Sequence, residues 1–138
     1  VVDALEFERL VLQNADLGKP GDPAASHKVK SLRSALDLYH QDYLNEDLDS
    51  SWTFSAERER LRALYLHAAE RLAEYYIAVE SWDELIQLGE MLLKLDSCYE
   101  SAYGYLMQAF AARGELSRLR DVYKRCTTTL TQIALNTT

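Results

Sequence analysis

Cysteine, histidine and glycine are all scarce in this chain, with two, three and five residues in 138, and each scarcity excludes a class of chemistry. His27, His40 and His67 are scattered, with no second histidine or cysteine at ligand spacing, so a zinc site has nothing to stand on. Cys98 and Cys126 are the only cysteines, and each falls on an apolar position of a predicted helix. Both are expected as reduced, packed thiols of a cytosolic protein rather than as a disulfide. The few glycines form no phosphate-cradling loop and no nucleophile elbow, and no paired carboxylates share a cleft. No catalytic residue, metal or cofactor is therefore expected, and the chain reads as a non-enzyme. Hydrophobic residues make up 48% of it, but no apolar run approaches the roughly 20 residues of a membrane helix. Positive charge is also in deficit: the net charge of −7 argues against nonspecific nucleic-acid binding by the whole module.

What is present is helical spacing of apolar residues from end to end, with nothing resembling a strand. Asp3 with Glu6 reads as a cap, and Phe7, Leu10, Val11 and Ala15 give a first helix over about 3–17, ended by Gly18-Lys19-Pro20-Gly21. Asp22 caps and Pro23 opens a second helix, whose face is Ala25, Val29, Leu32, Leu36 and Tyr39. From His40 to Phe54 the pattern lapses into an acidic connection with Tyr43, Leu44, Trp52 and Phe54 set within it. Ser55 starts the longest helix, carrying Leu61, Leu64, Tyr65, Ala68, Leu72, Tyr75, Tyr76 and Val79. Ser81-Trp82-Asp83-Glu84 and Ser97-Cys98-Tyr99-Glu100 both read as capping boxes that begin new helices. The first leads into Leu85, Leu88, Leu92 and Leu95, the second into Ala102, Leu106 and Phe110, ending at Gly114 as a C′ residue. A last helix carries Leu116, Leu119, Val122, Tyr123, Cys126, Leu130 and Ile133, with fraying expected beyond Thr131 because four threonines weaken its end.

Two of these segments are near copies. Ala68/Ala102, Leu72/Leu106, Tyr76/Phe110, Ala78/Ala112, Trp82/Leu116 and Leu85/Leu119 each pair 34 positions apart, the period of a tetratricopeptide-type helical hairpin. The fold class expected is all-α, a tetratricopeptide-like stack of about three antiparallel hairpins in a right-handed α-α superhelix, and residues 1–138 form one domain. The start, Val1-Val2-Asp3, lacks an initiator methionine and a signal-type core, so the chain reads as a segment of a longer protein.

Two chemical readings fail on the residues themselves. Asn45, Asp47 and Asp49 alternate like the first ligands of an EF-hand loop. Ser50, however, stands where the sharp turn needs glycine, and Ala56 where a bidentate glutamate is required. Nine tyrosines invite a base-stacking role. Tyr39, Tyr65, Tyr75, Tyr76, Tyr103 and Tyr123 lie on the apolar stripes, where core packing accounts for them.

The succession Leu36-Asp37-Leu38-Tyr39, then Trp52, then Ala56-Glu57-Arg58-Glu59-Arg60-Leu61-Arg62-Ala63-Leu64-Tyr65 and Ala68-Ala69-Glu70-Arg71-Leu72-Ala73 resembles the bacterial transcriptional activator domain. This is the tetratricopeptide-like module of antibiotic-regulatory-protein-type and related bacterial regulators. Leu106-Met107, Ala112-Arg113-Gly114, Val122-Tyr123, Val2-Asp3 and Phe7-Glu8 resemble it too, so the likeness covers nearly the whole chain. In place of the family's closing Leu-Gly and proline, this chain ends Ile133-Ala134-Leu135-Asn136-Thr137. Against the general tetratricopeptide pattern, Leu85, Leu92 and Cys126 replace small alanines and Gly89 stands at an aromatic position, which predicts altered helix spacing. The resemblance implies a cytoplasmic, non-enzymatic effector or dimerisation domain of a transcription regulator. DNA would be bound by a linked domain outside this chain.

The partners so implied are proteins, through self-association or transcription machinery, with no membrane involved. If the tetratricopeptide register holds, His67, Glu70, Glu74 and Ile77, with Ser101, Gly104 and Gln108 one repeat later, line a partner-binding groove. The two glutamates there favour a basic partner segment. Charge is uneven along the chain: residues 1 to 57 hold eleven acids and five bases. Arg113, Arg118, Arg120, Lys124 and Arg125, by contrast, form a local basic patch, an auxiliary DNA contact being the alternative it raises. A general peptide-binding scaffold unrelated to transcription is the other alternative.

Overall fold

A computed structural model describes residues 4–14, 17, 23–45 and 55–136. Among them the chain is all-helical: α1 (Ala4–Gln13), α2 (Pro23–Asn45), α3 (Ser55–Ala78), α4 (Trp82–Leu95), α5 (Glu100–Ala112) and α6 (Leu116–Asn136). It divides into two compact units, residues 1–79 and 80–138, so the division falls inside the second predicted hairpin. The Asp3 and Asp22 caps, the Gly18–Gly21 break and the acidic connection from 46 to 54, with Asp47 and Asp49 of the calcium-like alternation, lie outside the described residues.

In the first unit α1, α2 and α3 pack against one another. The predicted face of α2 is buried throughout, and Phe7 and Val11 of α1 join it with Tyr65, Ala68, Leu72 and Tyr76 of α3. Three rings, one from each helix, form a continuous run. Phe7 stacks on Tyr39 with centroids 4.9 Å apart, and Tyr39 meets Tyr65 at 4.9 Å, separations typical of favourable aromatic pairs. Tyr65 is fully buried; burial, aided by the nearby Asp37 carboxylate, pushes its hydroxyl pKa well above the usual tyrosine value. On the rim, Arg33 Nε donates to Asp37 Oδ1 at 3.1 Å, and Arg60 pairs with Glu8 at 2.7 Å.

Two boundaries differ from the sequence reading. α1 is assigned only to Gln13, and Asn14 completes its last turn: its backbone N–H and its side-chain Nδ2 both donate to the Leu10 carbonyl, at 3.2 and 2.8 Å. α2 instead runs past His40 to Asn45, since the lapse of an apolar stripe does not by itself end helical backbone.

In the second unit α5 packs on both α4 and α6. Leu85, Leu88 and Leu92 of α4, Ala102, Leu106 and Phe110 of α5, and Val122 of α6 are buried. Neither expected capping box has its serine cap bond. Ser81 is the N-cap of α4 without a side-chain cap bond. α5 begins at Glu100 with Tyr99 as N-cap, because Asp96 captures the turn first: its Oδ1 accepts from Cys98 N–H at 3.0 Å and its carbonyl from Tyr99 N–H at 3.1 Å. Tyr103 Oη then donates to the Ser97 carbonyl at 2.8 Å. Cys98 is thereby exposed in the turn rather than packed in a helix; Cys126 is half-buried, and both thiols are free. α6 continues beyond Thr131 to Asn136. Within it Thr127 Oγ1 donates to the Tyr123 carbonyl at 2.9 Å, the i−4 bond open to a threonine in a helix.

The 34-residue register reappears in the backbone. Gly114, after α5, has φ +73°, and Glu80, the residue 34 earlier and after α3, has φ +59°. The same left-handed turn thus closes both copies, once with the residue that suits it and once with glutamate. A side chain in this region costs about 1–2 kcal/mol, against about 0.5–1 kcal/mol for the extra chain entropy of glycine. Glu80→Gly is therefore expected to raise the unfolding free energy by about 0.5–1 kcal/mol in urea denaturation, and a loss would show that the glutamate side chain is needed there.

Candidate functional site

The partner-facing residues expected from the repeat register lie on exposed helix faces. On α3, His67, Glu70 and Glu74 are exposed and Ile77 is half-buried. They follow one another at three- and four-residue spacing on the side away from Ala68, Leu72 and Tyr76. Glu74 pairs loosely with Arg71 at 3.8 Å between two exposed side chains, a contact of little energetic weight in water. On α5, Ser101, Gly104 and Gln108 are exposed at the same spacing, and a Cβ built on Gly104 would meet nothing within 4 Å. The α3 stripe belongs to the first unit and the α5 stripe to the second.

The five cations of the basic patch have different surroundings. Arg113 pairs with Asp83 and lies 3.5 Å from Glu115. Arg118 lies 3.9 Å from Glu115 and sits over the Phe110 ring, 5.9 Å from its centroid. Arg125 donates to Glu90 at 3.0 Å. Only Arg120 and Lys124, one turn apart on α6, have no ion pair among the described residues. Phosphate binding draws on cations free to replace counterions, and three of these five already face carboxylates.

Sequence reasoning placed Tyr123 in the core, and here the structure corrects it. Tyr123 is 63% exposed and Leu116 62%; of the predicted α6 stripe only Val122 is buried, with Leu119, Cys126 and Ile133 half-buried and Leu130 exposed. An apolar stripe records that a helix has an oily side, not that anything covers it. Met107 of α5 and Leu116, Leu119, Arg120 and Tyr123 of α6 line an open cleft of about 400 Å³. Tyr75, also assigned to the core, is half-buried, while Tyr39, Tyr65, Tyr76 and Tyr103 are buried. A second, more polar cleft of about 440 Å³ lies at the start of α4, between Glu80, Ser81, Trp82, Asp83, Glu84 and Arg113.

No three histidine, cysteine, aspartate or glutamate side chains cluster so as to hold a metal ion among the described residues. Among the same residues no helix is long and apolar enough to cross a membrane. No curated protein and no solved structure matches the chain. Residues 2–133 match the family described as bacterial transcriptional activator domain. The all-helical architecture and its repeated turns agree with the helical-repeat fold of that family. The match takes in every described helix except the last three residues of α6, and the chain therefore belongs to the bacterial transcriptional activator domain family, as a module of a bacterial transcription regulator.

Proposed function

We propose that this module is a non-enzymatic protein-interaction domain, effector or dimerising, through which a cytoplasmic regulator couples a linked DNA-binding domain to a protein partner. The observation that carries this reading is a recurrence of exposed positions. His67/Ser101, Glu70/Gly104 and Glu74/Gln108 are each 34 residues apart and all six are exposed, on α3 and on α5. Helical repeats conserve inward positions for packing and leave equivalent outward positions for partners, so a face repeated in this way is available twice. Glu70 and Glu74 give the α3 face a negative character that suits a basic partner segment.

The test uses the full-length regulator carrying Glu70→Lys/Glu74→Lys, with promoter binding and reporter transcription measured side by side. Activation is expected to fall at least tenfold while promoter binding and helical circular dichroism stay unchanged, both substituted residues being exposed. Undiminished activation would remove the α3 face from the interaction. Sedimentation equilibrium of the same pair separates the roles: a lost dimer assigns the face to self-association, and an unchanged mass assigns it to an effector contact.

A further inference from the structure

Gly89 and Tyr123 occupy the same place in the repeat, 34 residues apart, with opposite surroundings. Gly89 is buried, and a Cβ built on it would lie 2.9 Å from Leu106 Cγ and 3.4 Å from the Ala102 carbonyl oxygen. α5 thus seats directly on α4 at this point. Tyr123, at the same place on α6, has its ring open to solvent. Leu85 and Leu119, a further repeat pair, are buried and half-buried respectively, and Trp82 and Leu116 are half-buried and exposed. Leu88 and Val122, the pair on the inner side of the two helices, are both buried. The two helices are therefore packed alike on one side, while the layer that α5 lays on α4 has no counterpart on α6 among the described residues.

We infer that the cleft formed by Met107, Leu116, Leu119 and Tyr123 receives a single amphipathic α-helix of a partner protein, with acidic residues beside its apolar stripe. This rests on reading the module as a protein-interaction domain, and it assigns a partner chemistry to a surface separate from the α3 face. The occupant is a helix because a helix covers the repeat-equivalent place on α4, and a ridge of side chains at three- and four-residue spacing fits a groove between two helices. It is acidic because Arg120 lines the cleft and Lys124 stands one turn farther along α6. Both lack an ion pair among the described residues, whereas Arg113, Arg118 and Arg125 already face Asp83, Glu115 and Glu90. A second copy of this chain fits less well. Near a two-fold axis like residues meet, which brings Arg120 and Lys124 of one copy toward those of the other and opposes association.

Two labelled helical peptides with the same leucine stripe, one flanked by glutamates and one by lysines, test the inference by fluorescence anisotropy with the whole chain. The glutamate peptide is expected to bind saturably and at least tenfold more tightly than the lysine peptide. Tyr123→Ala should weaken it at least tenfold, and Arg120→Glu/Lys124→Glu should reverse the preference between the two peptides. The Met107 methyl resonance of the unsubstituted chain is expected to shift on binding, locating the site without any variant. Equal binding of both peptides, binding indifferent to Tyr123→Ala, or an unmoved Met107 resonance would overturn the inference. So would a concentration-dependent dimer abolished by Tyr123→Ala, which would make a second copy the occupant. Peptide failure combined with loss of activation in Glu70→Lys/Glu74→Lys removes this inference and leaves the interaction-domain reading standing; failure of both removes that reading as well.

Discussion

Leu72→Ala is expected to lower the unfolding free energy by about 2–5 kcal/mol, the range for emptying a fully enclosed leucine site. Leu72 has no solvent exposure and lies in the C-terminal half of α3, flanked on the same helix by Ala68, Ala69, Ala73 and Tyr76, all buried. Small neighbours bring backbones close, so the cavity left by the deletion has rigid walls and cannot collapse. The loss is therefore a cavity cost added to the lost transfer of the side chain out of water. Leu38 on α2 provides the contrast: it is 51% exposed, and Leu38→Ala is expected to change stability by less than about 0.5 kcal/mol. Urea denaturation followed by circular dichroism measures both. A Leu72→Ala loss as small as that of Leu38→Ala would mean that the inward face of α3 has been misassigned.

The inward face of α3 was legible because it is written locally. Apolar residues recurring every three or four positions define a face before any partner is known, and Tyr65, Ala68, Leu72 and Tyr76 are buried as that spacing requires. The exposure of His67, Glu70 and Glu74 follows from the same pattern read from the other side. Features decided by competition between neighbours were not legible. Ser97-x-x-Glu100 has the composition of a capping box, but Asp96, one residue earlier, offers a stronger acceptor and shifts the start of α5. Glu80 gave no turn signal, since only its repeat relation to Gly114 marks it as left-handed. The uncovered face of α6 was hidden for a different reason. The stripe Leu116, Leu119, Tyr123 looks the same in sequence whether a neighbour covers it or not, and only burial tells the two cases apart.

Gly89→Leu is expected to destabilise the second unit by about 3 kcal/mol, at the upper end of the cost of overpacking a tight core. Helix propensity alone predicts the opposite sign, because leucine is favoured over glycine in a helix interior by close to 1 kcal/mol. Packing outweighs it. The first carbon of the new side chain already lies 2.9 Å from Leu106 Cγ, and Leu106 is fully buried, so it cannot swing aside into solvent. The remaining carbons are directed at the contact between α4 and α5, whose backbone oxygen at Ala102 is only 3.4 Å from the added Cβ. Gly104 on α5 isolates the propensity effect: it is helical, exposed and has nothing within 4 Å of an added Cβ, so Gly104→Ala is expected to gain about 0.5–1 kcal/mol. Thermal and urea unfolding of the two variants should therefore move in opposite directions. This contrast also bears on the repeat itself. Where the general tetratricopeptide pattern has an aromatic residue, this chain uses glycine to let α5 approach α4, and the aromatic reappears one repeat later as Tyr123, on a face where no further helix is seated among the described residues. A gain in stability at both glycines would mean that α5 does not press on α4 at Gly89, and the distinction drawn between the covered face of α4 and the open face of α6 would lose its physical basis.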